Sequence, residues 1–288
     1  MGVGELKPEG SETAPDFSSA ADLSWSELAA LWNRAYEGYV VPLSFSPEVM
    51  EAHVRRSGID LGRSVVGLIG GEPFGLSLAA FEGGEAWIGG FGVAADRRRQ
   101  GLASRLAAAQ AEALDAAGVR ETRLEVIDVN PAQEVYGRVG FVRTRVLTSF
   151  EIDLPGVERG PFVALDPEAL GEAHARLNPE PPTWRRRVPV LGRTVEDGIA
   201  AALGIERDGR IGAYAVVGAP AERVALFDAA AQDEAAADAL LQALASIRPG
   251  ATLRLIDEAG ETPLRIALGR RGARRLIGQY EMTRASQA

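Results

Sequence analysis

Gly92-Val93-Ala94-Ala95-Asp96-Arg97-Arg98-Arg99-Gln100-Gly101-Leu102-Ala103-Ser104 joins an apolar, glycine-bearing run to a stretch with helical spacing. Upstream, Glu85 to Val93 reads as a strand. Downstream, Leu102, Leu106, Ala109 and Ala113 fall on one helical face, and Gly118 supplies the stop. A strand that passes through an arginine-and-glycine loop into a helix presents unpaired backbone N–H groups and the positive end of the helix dipole. That is a site suited to phosphate oxygens. Gly101 and Ala103 leave the backbone open to close approach, and the arginines add charge-assisted hydrogen bonds. A solvated arginine run is the plain alternative, since short charge runs are common. The turn carries no Gly-x-Gly-x-x-Gly, and the chain has no Gly-Lys-Ser/Thr, so neither a dinucleotide fingerprint nor a Walker loop is present.

Working outward, Ser24-Trp25-Ser26-Glu27 forms a capping box ahead of Leu28, Leu31, Trp32 and Ala35, and Ser46-Pro47-Glu48 opens a second helix. Ser64 to Ile69, Pro73 to Phe81 and Glu85 to Val93 read as three strands joined at Gly70-Gly71 and Gly83-Gly84. After the helix from Gly101 come a strand (Arg123 to Ile127), a short helix (Pro131 to Arg138) and a long strand (Phe141 to Asp153).

Residues 1–20, rich in Gly, Pro, Ser and Glu, read as a flexible tail. Residues 154–162 carry two prolines and two glycines and read as a linker between a first domain, 21–153, and a second, 163–288. The second half repeats the plan of the first. Leu124-Glu125-Val126-Ile127-Asp128 matches Leu253-Arg254-Leu255-Ile256-Asp257. Tyr136-Gly137-Arg138-Val139-Gly140-Phe141 matches Leu268-Gly269-Arg270-Arg271-Gly272-Ala273. Two copies of one α/β (α+β) unit, each a mixed and mostly antiparallel sheet flanked by helices, account for the 288 residues.

Composition narrows the chemistry. There are no cysteines and two distant histidines, His53 and His174, which exclude thiolate metal sites and a cysteine nucleophile and leave no metal-ligand cluster in view. With 31 basic and 40 acidic residues the net charge is −9, which argues against nucleic acid as a partner. No apolar run is long enough to span a membrane and no signal-peptide pattern opens the chain, so a cytoplasmic protein is expected.

Arg98-x-x-Gly101-x-Ala103 resembles the (Arg/Gln)-x-x-Gly-x-(Gly/Ala) signature of the GNAT acetyltransferase superfamily, with Val93 at the family's usual valine. Asn130-Pro131-Ala132 through Tyr136-Gly137-Arg138-Val139-Gly140-Phe141 resembles the family's second segment, Asn130 lying one residue nearer the tyrosine than the commonest spacing. The resemblance covers the whole first half and implies an acetyl-CoA-dependent N-acetyltransferase of tandem type. By that resemblance the loop of Arg98, Arg99, Gly101, Leu102, Ala103 and Ser104 would hold the pyrophosphate, through its amides and the Arg98 side chain. Backbone groups of Phe91 and Val93 would pair with the pantetheine arm, and Asn130 would meet the same arm.

Tyr136 is then the expected general acid for the leaving thiolate, and the N–H of Val93 the oxyanion donor. Glu125 is the candidate base, although backbone carbonyls with water can serve instead. The absence of cysteine fits direct attack by an amine within a ternary complex. Trp25, Trp32 and Tyr36 lie on the leading helices, where the family places its acceptor. The acceptor is expected to be a small-molecule amine or a peptide, and the protein a monomer or homodimer. In the second half Ala229 to Ala235 replaces the arginine loop with two acids, and Leu268 replaces the tyrosine, so that half reads as degenerate for the cofactor. A CoA or acyl-CoA sensor or scaffold without turnover is the competing class.

Overall fold

The computed structural model describes residues 14–41, 43–155 and 160–286. Residues 1–13 of the expected tail and 156–159 of the expected linker lie outside them. The chain is a mixed α/β protein, with eight α-helices and twelve strands among the described residues. It forms two compact units that interleave along the sequence. The first holds the residues up to Thr122, Glu134–Gly140 and those from Ala285. The second holds Arg123–Gln133 and Phe141–Arg284.

The first unit contains β1 (Asp16–Ser19), α1 (Trp25–Ala35), α2 (Pro47–Ser57), β2 (Val65–Ile69), β3 (Glu72–Glu82), β4 (Glu85–Val93) and α3 (Leu102–Ala116). Its strands run β1-β2-β3-β4, antiparallel throughout. The two leading helices start where the caps predict. Ser24 and Glu27 complete a capping box, and Ser46 accepts from the Val49 amide with Pro47 in the first turn. Asp16–Ser19, assigned to the tail by sequence, is instead a strand. Four residues with one apolar member give no alternation to read; Phe17, edge-on to Phe74 at 6.5 Å, anchors it.

β4 carries a bulge. Leu78 faces Gly90 and Ala79 faces Ile88, so Gly89 is the extra residue. Two glycines, Gly90 and Gly92, let α1 lie close on this strand. A Cβ on Gly90 would stand 2.3 Å from the Trp32 ring, and one on Gly92 2.9 Å from the Ala35 methyl. Trp32 cannot swing aside, because Tyr36 stacks on it at 4.3 Å and Phe45 at 4.8 Å. Gly90→Ala is therefore expected to destabilise the protein by about 1–3 kcal/mol through overpacking, measured by chemical denaturation.

The second unit contains most of β5 (Glu121–Ile127), then β6 (Val142–Asp153), β7 (Val163–Ala164), α5 (Pro167–Leu177), α6 (Val188–Glu196), β8 (Ala200–Arg207), β9 (Arg210–Gly218) and β10 (Arg223–Ala231). α7 (Glu234–Ile247), β11 (Thr252–Ala259), α8 (Pro263–Arg270) and β12 (Arg274–Ala285) complete it, and α4 (Ala132–Arg138) is divided between the units. The strand order is β5-β12-β6-β11-β10-β9-β8-β7. β6 pairs antiparallel with β11 on one side and with β12 on the other. Leu226, Leu240, Leu241, Leu244, Leu253, Leu255 and Leu264 close the core over β10, β11 and α7.

The repeat seen in the sequence extends to the irregularities. β10 carries its own bulge, Phe227, opposite the Val216–Val217 step of β9, as β4 carries Gly89 opposite β3. β10 also runs to Ala231, past the expected end at Phe227. A run of four small or acidic residues lacks strand signal, yet Ala229, Ala230 and Ala231 are buried. Among the described residues no helix is long and apolar enough to cross a membrane.

Candidate functional site

The end of β4 sets the site's backbone geometry. The Ala94 amide donates to the Phe74 carbonyl at 2.8 Å, which makes Gly75–Val93 a non-hydrogen-bonded pair of the antiparallel ladder. Ser77–Phe91, two residues on, is the same kind of pair. The N–H and C=O groups of both Phe91 and Val93 therefore point away from β3. On that side the Phe91 amide donates to the Tyr36 hydroxyl at 3.2 Å, and the Val93 carbonyl accepts from Arg98 Nε at 3.1 Å.

Past β4 the chain makes one tight turn at Ala95–Arg97, extends at Arg98, and takes left-handed backbone at Arg99 (φ 66°) and Gly101 (φ 75°). A left-handed non-glycine such as Arg99 is costly, which marks the loop as held in shape. Gly101 is the N-cap of α3, no side chain caps the helix, and the space beside its α-carbon is open. The first amides of α3, those of Leu102 and Ala103, are thus left for an outside acceptor, while the Ser104 amide donates to the Gly101 carbonyl at 3.2 Å. Leu102 anchors the turn from below, packed with Val65, Phe74, Val93 and Leu106. The Ser104 hydroxyl accepts from Arg138 at 3.3 Å, bringing the end of α4 to the start of α3.

Arg98 is placed differently from its expected role. Its guanidinium donates to the carbonyls of Val93, Ala35 (2.9 Å) and Glu37 (2.9 Å). The side chain fastens the end of α1 to the end of β4. Carbonyl acceptors contributed by a helix sixty residues upstream are invisible to a local motif.

Tyr136, on the first unit's part of α4, is buried, with its ring edge-on to Phe91 at 5.3 Å. Burial, with Tyr36 and Tyr39 nearby, pushes its phenol well above the ordinary value, so it is a proton donor throughout the neutral range. Tyr136, Phe91, Tyr36 and the α3 amide loop therefore belong to one unit. Asn130 and Glu125 belong to the other. The Asn130 side chain accepts from the Ala132 amide at 2.9 Å, an Asx turn that starts α4. Glu125 lies on β5, half-buried.

The contact that the sequence did not disclose is the Tyr36 hydroxyl on the Phe91 amide. Trp32 and Tyr36, four residues apart on α1, gave the only signal. The counterpart of the loop in the second unit is closed: Asp233 caps α7 through the Ala236 amide at 2.8 Å and also binds Arg207. A carboxylate there leaves no room for an anion.

The bulged β4, the arginine loop and the uncapped start of α3 lie together in the first unit. Residues 19–141 match the acetyltransferase (GNAT) family. The whole chain is similar to a tandem GNAT protein from the clavulanic acid biosynthesis pathway, at 16% identity and a TM-score of 0.68 over 96% of this chain and 99% of that one. It is equally similar to a GCN5-related N-acetyltransferase from Sphaerobacter thermophilus, at 17% identity and a TM-score of 0.68 over 97% of each chain. The chain therefore has the tandem GNAT fold. No curated protein matches it in sequence.

Proposed function

We propose that the protein is an acetyl-CoA-dependent N-acetyltransferase, active through its first half, that transfers the acetyl group to a primary amine within a ternary complex. The observation that carries this reading is the uncapped start of α3 behind left-handed Arg99 and Gly101, against a capped α7 in the second half. The residues fit the cofactor: amides of Arg99, Gly101, Leu102 and Ala103 suit a pyrophosphate, and the Phe91 carbonyl and Val93 amide suit a pantetheine arm laid along β4. By the resemblance, Asn130 would meet the same arm.

When bound, acetyl-CoA supplies an acetyl group activated as a thioester. The Val93 N–H donates toward charge developing on the acyl oxygen. Tyr136 holds its proton in a buried site beside Phe91 and gives it to the departing sulfur. The incoming amine must be neutral, and Glu125 or a backbone carbonyl with water takes its proton. Titration calorimetry of the full chain with acetyl-CoA is expected to give one binding event per chain. No heat and no shift in melting temperature on adding acetyl-CoA to folded protein would end the reading.

A further inference from the structure

In the second unit β10 and β11 run parallel and paired from Arg223–Thr252 to Leu226–Leu255, and there the pairing ends. Both strands are irregular at that point: β10 at its bulge, and β11 by a register shift against β6 between Leu255 and Glu258, with Asp257 at φ 58°. The side chain of Arg186 lies between the parted ends. On β10, its Nε donates to Asp228 at 2.6 Å and its Nη2 to the Ala229 carbonyl at 3.2 Å. On β11, Nη1 donates to Glu258 at 2.7 Å and to the Asp257 carbonyl at 3.1 Å. Four acceptors in a plane-matching fork is what a guanidinium selects and an ammonium does not.

The host is built without its guest. The second oxygen of Asp228 accepts from the Tyr214 hydroxyl of β9, and that of Glu258 from Thr262 ahead of α8. Both carboxylates are thereby oriented by residues of the sheet and of α8. Arg186 comes from a separate segment, the single turn Trp184–Arg186 that precedes α6. Asp228, Glu258 and Arg186 are all almost wholly buried, so two carboxylates face one cation out of water. A hydrophobic core would be at least as stable as such a pair, which makes the arrangement unlike a device for stability alone. The first half has Gly90 where the bulge of the second half is followed by Asp228.

We infer that the parted ends of β10 and β11 form a guanidinium-binding site, with Arg186 as its resident occupant in cis. The site takes monosubstituted guanidinium groups by charge and by the fork of acceptors. The assignment does not rest on the proposed acetyl transfer.

The test is chemical rescue in the full chain. Arg186→Ala leaves two buried carboxylates without their cation and is expected to lower Tm by roughly 6–20 °C. Methylguanidinium at tens of millimolar is expected to restore at least half of that loss and to saturate. Sodium chloride at the same ionic strength and neutral methylurea are expected to restore none. The triple variant Arg186→Ala, Asp228→Asn, Glu258→Gln carries no buried charge to compensate, so it folds and does not respond to methylguanidinium. If Arg186→Ala folds only on refolding with methylguanidinium, the recovered yield is the readout and supports the site. An Arg186→Ala protein that gains no more from methylguanidinium than from salt overturns it. So does a triple variant that responds as strongly as the single one.

Discussion

Tyr136→Phe is expected to lower kcat by about 10²- to 10⁴-fold while leaving acetyl-CoA affinity unchanged. The ring stays edge-on to Phe91 at 5.3 Å, so packing persists and only the proton is lost. Because burial holds the phenol above its ordinary value, Tyr136 stays protonated past the pH at which a free tyrosine ionises. The pH profile of the proposed reaction should therefore show no alkaline fall from this group below about pH 10. Steady-state kinetics with a panel of amines, alongside calorimetry, checks both parts. Equal turnover by the variant removes Tyr136 from the chemistry, and a protein that binds acetyl-CoA but acetylates nothing belongs to the sensor class.

Arg98→Ala is expected to cost about 2–4 kcal/mol of folding stability in the absence of any ligand, read as a lowered denaturation midpoint. Three carbonyls, on Val93, Ala35 and Glu37, lose a charged donor at once, and two of them belong to the junction of α1 with the loop after it. Acetyl-CoA affinity should fall as well, because the end of β4 and the cap of α3 are held through the same residue. Stability of the free protein separates the two roles. A side chain that only touched pyrophosphate would leave the unliganded midpoint where it was, and that result would refute the clamp.

The contrast between Arg98 and Arg186 shows what a sequence discloses. The loop from Arg98 to Ser104 is legible because its chemistry is local: glycine, helix start and charge all fall within seven residues. The carbonyls that hold the Arg98 guanidinium could not be read, since they lie 61 and 63 residues upstream. Tyr136 was legible by its spacing from Gly140 and Phe141, and its burial against Phe91 was not. Arg186 gave no signal at all. Its partners are 42 and 72 residues away, and one arginine among thirty looks like surface charge until the strands part around it. The irregular elements were hidden for the opposite reason, being too short or too alanine-rich to carry a period, as in Asp16–Ser19 and the end of β10.

The position of β6 between β11 and β12 has a kinetic consequence. Asp153, at its end, meets Thr252 and Arg274, which lie 99 and 121 residues further along the chain. During synthesis β6 leaves the ribosome with donors and acceptors exposed along both edges, and neither neighbour exists until most of the remaining chain has been made. Loop closure over such separations is slow compared with hairpin formation. The second unit therefore closes only when its last strand arrives, and the interval before β12 arrives is when this protein is most open to pairing with another copy of itself.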